Sequence, residues 1–276
     1  MTAGTPPVQT PRPSAVTPLE VRRWRAGAWQ DVADNVAAEV PVALSYNSIP
    51  HVVMMATPLD LEDMGVGFTV SEALVADYSE LRGVELDVSS GEFELRLSVT
   101  GSRLGELLDR RRNLTGRTGC GVCGAETVED AIRKPPPVAE GGSTSREELV
   151  GALRQMRSLQ PLGALAGSLH AAAWVGWNGE VRLVREDVGR HNALDKLIGA
   201  KLRGAEDLAD GYVMVTSRAS YEMVQKTATL GIRMLVAVSA PTALGVELAR
   251  ECGLTLVGFA REEQQVVYSR PDRLRL

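Results

Sequence analysis

The most constraining feature of the sequence is a repeated alternation near its C-terminal end. Three apolar runs, at 212–216, 234–239 and 254–259, are each long enough for one buried strand. Helical stretches that begin near Asn192, Ser220 and Thr242 precede or follow these runs. Strands and helices that alternate in this way predict a sheet with parallel strands and with helices on both faces. The fold class that follows is α/β.

The first hundred residues predict a smaller mixed α/β unit. Residues 92–99 alternate strictly between apolar and polar side chains, which is the period of a strand with one buried face. Further strands are expected at 39–45 and 51–56, with a helix over 59–74 between the strands. We therefore predict three parts, which are a disordered proline-rich tail over 1–18, an N-terminal domain over 19–125 and a C-terminal domain over 126–276.

Composition excludes several classes of protein. The 276 residues carry a formal net charge of −5, which gives no overall attraction to nucleic acid. No apolar run approaches the roughly 18 to 20 residues that span a bilayer, so we expect a soluble protein. Three cysteines are too few for the disulfide framework of a secreted protein, which predicts a reducing, cytoplasmic location.

Cys120 and Cys123 form a pair in a glycine-rich segment over 115–124. The spacing is compatible with a structural zinc site, a thioredoxin-type redox pair, two idle cysteines or a sulfur relay. Zinc needs four ligands, and no second pair of Cys or His residues stands at a similar spacing. Glycine on both sides favours exposed, reactive thiols, which suits a relay that carries sulfur as a persulfide.

A relay needs thiolate, and a free cysteine with a pKa of about 8.5 is ionised to only a few per cent at neutral pH. Positive charge near a thiol lowers its pKa and also attracts an anionic cofactor. Five arginines lie around the cysteine pair in the sequence: Arg110, Arg111, Arg112, Arg117 and Arg133.

Polar residues follow the predicted strands at three places. Residues 185–196 run from a strand end into a helix, and they place Asp187, Arg190, His191 and Asn192 where helix amides and side chains can meet phosphate. Each of these side chains can also serve a purely structural purpose.

The second and third segments are 216–222 and 258–261. Ser217 and Arg218 offer a hydroxyl and a guanidinium suited to an anion, and Phe259 with Arg261 offers an aromatic surface and a second guanidinium. Together the three strand ends predict a site for a nucleotide-sized anionic ligand.

Several long motifs in one order give the chain a resemblance to the FdhD-type formate dehydrogenase accessory sulfurtransferases. It covers most of the sequence and rests on the segments 39–58, 60–63, 117–124, 186–196, 217–226, 238–243 and 258–261.

The resemblance implies a sulfurtransferase. A cysteine desulfurase would load a persulfide onto Cys120, with Cys123 assisting. The acceptor would be the molybdenum bis(guanine dinucleotide) cofactor, of which GDP is a fragment, and the client would be formate dehydrogenase. The resemblance also implies a homodimer and a cofactor-binding segment that comprises Phe259, Ala260, Arg261, Glu262, Glu263 and Gln264.

The resemblance further implies that the C-terminal domain is a three-layer unit like the cytidine deaminase fold. Zinc deaminases carry His-x-Glu and Pro-Cys-x-x-Cys motifs. Here His170 is followed by two alanines and Pro241 by Thr242 and Ala243, so no structural metal is expected. The alternatives that stay open are a chaperone that binds the cofactor without chemistry and a thiol redox or zinc protein.

Overall fold

The computed structural model of the chain describes residues 14–89, 91–101, 105 and 133–275. Three predicted features lie outside the described residues: Cys120, Cys123 and the domain boundary after residue 125.

The described chain begins with an antiparallel hairpin of two long strands. Strand β1 spans Val16–Arg25 and β2 spans Ala28–Ala37. The two turn residues, Ala26 and Gly27, both have positive φ angles, as a tight two-residue hairpin requires. Residues 16–18, which the sequence analysis placed in the tail, belong to β1.

A four-stranded sheet and one helix form the first packed unit. Its strands are β3 (Val40–Tyr46), β4 (Ile49–Ala56), β5 (Leu81–Ser89) and β6 (Glu92–Val99), in the order β4-β3-β6-β5. The alternation in β6 is confirmed, because its four apolar side chains are buried and its polar ones are more exposed. Helix α1, which spans Leu61–Ser71, packs on the buried face of this sheet.

The second unit contains the remaining strands and helices. Its helices are α2 (Arg146–Ser158), α3 (Pro161–Leu165), α4 (Arg190–Arg203), α5 (Tyr221–Thr229) and α6 (Ala243–Glu251). Its strands are β7 (Thr144–Ser145), β8 (His170–Gly176), β9 (Val181–Asp187), β10 (Gly211–Val215), β11 (Met234–Ala237), β12 (Thr255–Gly258), β13 (Val266–Ser269) and β14 (Leu274–Arg275).

The second unit has three layers, as predicted. Its main sheet has six strands in the order β13-β12-β11-β10-β8-β9. Helices α4, α5 and α6 pack on one face, and α2 packs on the other. A capping box at Ser145 and Glu148 starts α2, because each side chain bonds the backbone amide of the other residue.

The directions of the strands confirm the parallel prediction for the three apolar runs and add antiparallel neighbours to them. Strands β10, β11 and β12 are parallel, as expected, but β8 and β13 run the opposite way. The turn through Asn178 and Gly179 makes β9 return directly beside β8, and a short connection does the same for β12 and β13. Chain reversals this short leave no room for a crossover helix, so the sheet is mixed.

Two glycines bring the two units into direct backbone contact. A Cβ atom on Gly67 of α1 would lie 1.8 Å from the carbonyl oxygen of Asp195 in α4. A Cβ atom on Gly199 of α4 would lie 1.8 Å from the carbonyl oxygen of Asp63 in α1. Only glycine fits at either position, so the two helices cross more closely than helices with side chains at the contact can.

Replacement of Gly67 by alanine is expected to destabilise the protein by about 2 kcal/mol or more, because the added methyl group overlaps the α4 backbone. Gly151→Ala is the matched control: it lies inside helix α2 with no heavy atom within 4 Å of the added Cβ. Alanine there should leave stability unchanged or raise it by up to about 1 kcal/mol. Urea unfolding measures both variants, and equal stability of the two would contradict the close helix contact.

Candidate functional site

One edge of the six-stranded sheet gathers the predicted binding segments. Strands β9, β10, β11 and β12 all run in the same direction, because β9 and β10 are each antiparallel to β8. Their C-terminal ends therefore share one edge, where α4, α5 and α6 begin. The fold brings to this edge the four residues predicted near helix starts, Arg190, His191, Ser217 and Arg218, together with the segment that begins at Phe259.

Arg190 and His191 at the start of α4 both approach Glu222 in the first turn of α5. Nε2 of His191 lies 2.8 Å from Oε2 of Glu222, and a guanidinium nitrogen of Arg190 lies 3.9 Å from the same oxygen. The contact with His191 lowers the pKa of Glu222, and the charge of Arg190 lowers it further. Glu222 is therefore a carboxylate at neutral pH. It was not among the predicted binding residues, although its place in a strand-end segment was a usable signal.

His170 opens β8 at the same edge, where its partner in the strand register is Asp187. Burial lowers the pKa of His170, and the positive charges of Arg190 and His191 add to this effect. A neutral imidazole is therefore favoured at this position near pH 7.

Three buried polar atoms at this edge have no well-aligned hydrogen-bond partner among the described residues. They are Nε of Arg190, Nε2 of His191 and the hydroxyl oxygen of Ser220, the residue that precedes α5. Nε2 of His191 lies close to Glu222, but the two atoms are not aligned for a hydrogen bond. Helix α4 also begins without a side-chain cap, and its first turn contains no acidic residue. Unpaired donors and the positive end of a helix dipole both favour an anionic oxygen close by.

Ser217 and Arg218 differ in how available they are. The buried hydroxyl of Ser217 donates to the carbonyl oxygen of Arg218 at 3.0 Å, so its proton is already used. The side chain of Arg218 is exposed and can reach a ligand at the rim of the edge.

The segment 259–264 is divided between the edge and helix α2. Phe259 adopts a positive φ of 48° and its amide donates to the carbonyl of Ser239, which starts a sharp turn. Arg261 and Gln264 close this turn by exchanging backbone hydrogen bonds, and Ala260 is buried. Glu262 forms ion pairs with two arginines of α2, Arg154 and Arg157. The carboxylate of Glu262 is thus engaged by α2, whereas no ion pair of Arg261 is seen in the described structure.

Asp187 and Asn192, which were expected to meet phosphate, are instead buried between the units. Asn192 donates to the carbonyl oxygen of Met55 and to Asp187, at 2.8 and 2.9 Å. Lys196 lies 2.6 Å from the other oxygen of Asp187 and 3.0 Å from the carbonyl oxygen of Thr57. The expected phosphate role of Asp187 and Asn192 is therefore corrected, because their polar groups already bind the β4–α1 connection.

A second buried cluster surrounds Lys226. Its ammonium group lies 2.9 Å from each of two carboxylates, Asp195 and Glu72, and 2.9 Å from the hydroxyl of Ser71. The two carboxylates outweigh burial and raise the pKa of Lys226. This cluster also joins α4 and α5 of the second unit to the end of α1 in the first.

Arg133, the first residue described after residue 105, lies at the candidate edge. Arg133 pairs with Glu72, and its carbonyl oxygen accepts a hydrogen bond of 2.8 Å from the hydroxyl of Tyr221 in the first turn of α5. Arg133 is therefore bonded to Tyr221, the residue that precedes Glu222 in α5.

Among the described residues, no three His, Cys, Asp or Glu side chains are grouped so that they could hold a metal ion. Cys252, the described cysteine, is buried in the core with α6 and β12 around it. No helix in the described part of the chain is long and apolar enough to cross a membrane.

The fold places the chain in a class of accessory proteins. A crystal structure assigned to a formate dehydrogenase accessory protein from Desulfotalea psychrophila has the same architecture, with a TM-score of 0.74 and 26% identity. The similarity covers 95% of this chain and 100% of that one. The chain belongs to the FdhD/NarQ family, whose family model matches residues 37–275.

Curated relatives of similar length support the same assignment. A protein from Cupriavidus necator is 49% identical over 262 residues, which cover 95% of this chain and 91% of the relative. A protein from Xanthomonas campestris is 50% identical over 265 residues, covering 96% and 94% of the two chains. Both relatives are named sulfur carrier protein FdhD.

The ion pairs of Glu72 make stability depend on pH. Burial opposes ionisation of Glu72, but Lys226 and Arg133 outweigh it and lower its pKa from 4.5 to about 2. A depressed carboxyl pKa stabilises the folded state above the unfolded pKa, and this contribution is lost as pH falls toward 2. Its size at pH 7 is on the order of 3 kcal/mol.

Glu72→Gln should therefore lose stability relative to wild type at pH 7, and the gap should narrow by about 2 kcal/mol at pH 3. Urea unfolding at both pH values measures the gap. Glu251→Gln, which removes an exposed pair with Lys134, is the control and should change stability by less than about 1 kcal/mol. A gap for Glu72→Gln that stays constant between the two pH values would show that this carboxylate does not hold the units together.

Proposed function

We propose that this chain is a sulfur carrier that serves the maturation of formate dehydrogenase. The proposal rests on one observation: the chain is about 50% identical, over nearly its full length, to relatives named sulfur carrier protein FdhD. The architecture shared with a formate dehydrogenase accessory protein supports the client. We further propose that sulfur travels as a persulfide on Cys120 and is delivered to a molybdenum bis(guanine dinucleotide) cofactor.

Loading is an exchange between two sulfur atoms. The thiolate of Cys120 attacks the terminal sulfur of a persulfide on a cysteine desulfurase. The sulfur–sulfur bond of the donor breaks, a new one forms on Cys120, and the donor cysteine leaves as a thiolate. No net oxidation takes place, so loading needs no further reactant. It needs reduced thiols, which agrees with a cytoplasmic location.

Delivery requires two electrons, because the terminal sulfur of a persulfide must become sulfide before a metal takes it up. The thiolate of Cys123 can supply them by attacking Cys120, which releases sulfide and leaves a disulfide between the two residues. A thiol reductant then restores the pair. This gives the second cysteine a defined assisting role.

The proposed cofactor carries phosphates that the donors at the sheet edge could bind. A guanine dinucleotide brings a pyrophosphate, and the edge offers Nε of Arg190, the hydroxyl of Ser220 and the open N-terminus of α4 as donors. Phe259 and the exposed Arg218 can contact the base and the outer phosphate oxygens. These features support the proposed binding of the cofactor and of GDP as its fragment. The homodimer implied by the resemblance stays a proposal.

Incubation of the chain with a cysteine desulfurase and cysteine should add about 32 Da, one sulfur atom, to the peptide that contains Cys120. The adduct forms because an accessible thiolate attacks the donor persulfide, and mass spectrometry after alkylation detects it. Cys120→Ala should abolish the adduct and support no formate dehydrogenase activity in cells that lack the wild-type protein.

Cys252→Ala is the control, because Cys252 is buried in the core and its thiol pKa is raised by burial. It should keep both the adduct and the activity. Formate dehydrogenase activity that survives Cys120→Ala would favour the alternative, a chaperone that binds the cofactor without sulfur chemistry.

A further inference from the structure

The edge site contains one charge of the wrong sign for a phosphate site. Glu222 lies among the donors described above, 2.8 Å from His191 and 3.9 Å from Arg190. A site that only had to attract phosphate would gain affinity without this carboxylate. Its presence needs an explanation beyond anion binding.

We propose that Glu222 is a specificity-determining residue that selects phosphodiesters over terminal phosphates. This inference rests on the proposed nucleotide site and adds the charge state of the phosphates it accepts. A pyrophosphate esterified at both ends, as in a dinucleotide cofactor, carries one negative charge on each phosphate. The terminal phosphate of GDP carries close to two at neutral pH, since its second pKa is about 6.

The position of Glu222 makes it sensitive to this difference. It stands in the first turn of α5, two positions after Ser220 with its unpaired buried hydroxyl, and its carboxylate lies against Arg190 and His191 at the uncapped start of α4. A phosphate bound by the guanidinium of Arg190 comes close to the Glu222 carboxylate, because a nitrogen of that guanidinium lies 3.9 Å from the carboxylate oxygen. The lowered pKa of Glu222 keeps that carboxylate charged at neutral pH.

The Glu222 carboxylate repels a doubly charged phosphate more strongly than a singly charged one. A second negative charge about 4 Å from a carboxylate costs on the order of fivefold in affinity even in bulk water, and more in a partly buried site. Glu222 is about one-third exposed, so water screens it only in part. The cationic donors still hold a singly charged phosphate, because the repulsion from Glu222 is smaller for it.

Glu222 also keeps the site from being filled by free nucleotides. Nucleoside diphosphates and triphosphates end in a phosphate with close to two charges, whereas the dinucleotide cofactor does not. A carboxylate at this position therefore lowers competition from free nucleotides for a site that must take up and release a scarcer diester. The same carboxylate orients His191 and Arg190 when the site is empty.

The test compares two probes with the same guanosine diphosphate core. GDP ends in a terminal phosphate, and GDP-mannose is esterified at both ends. Isothermal titration calorimetry on the full chain gives the Kd of each probe for wild type, Glu222→Gln and the control Glu180→Gln. The control removes the same charge at an exposed pair with Arg182, in the β8–β9 turn at the opposite end of the sheet.

The ratio of the Kd of GDP to the Kd of GDP-mannose should fall by about fivefold or more in Glu222→Gln, because GDP gains more from the loss of the carboxylate. Glu180→Gln should keep the wild-type ratio. Thermal unfolding without ligand checks that both variants are folded.

An unchanged ratio in Glu222→Gln would overturn the inference while leaving the nucleotide site in place. Equal weakening of both probes would also overturn it, because Glu222 would then be a direct ligand. If wild type binds neither probe at millimolar concentration, the proposed nucleotide site fails and the inference fails with it.

Discussion

The contact between α1 and α4 is the constraint on which the rest of the structure depends. Gly67 and Gly199 let the two backbones touch, and buried charges on both sides of the contact fix their relative position. Lys196 and Lys226 are buried there, and ion pairs and hydrogen bonds replace the water that each ammonium group loses. An arrangement of the two units that separated these ion pairs would leave a buried charge without a partner. The ion pairs therefore favour the arrangement that the structure shows.

The position of the candidate site depends on the contact between α1 and α4. Helix α4 contributes Asp195 and Lys196 to the contact with the first unit, and it begins with Arg190 and His191 at the sheet edge. Glu72 belongs to the same network and holds Arg133, where the described chain resumes after the cysteine-containing segment. One network thus stabilises the pairing of the units and holds Arg133 beside the proposed cofactor site.

The sequence predicted what depends on local pattern and missed what depends on distant partners. Period-two alternation located β6, and the three apolar runs located β10, β11 and β12. The three strand-end segments were expected at one sheet edge because parallel strands share their ends. The role of Asn192 was misjudged, because its partner Met55 stands 137 residues away. The glycine contact of the helices likewise follows from packing that no local pattern encodes.

The central claim is that this chain passes sulfur to a cofactor. The most direct measurement follows sulfur-35 from a chain loaded on Cys120, freed of desulfurase and cysteine, into the cofactor released from formate dehydrogenase that has matured in its presence. The account predicts that the label leaves the chain and appears with the cofactor in proportion to the activity gained. Full activation of the enzyme while the label stays on the chain would contradict it.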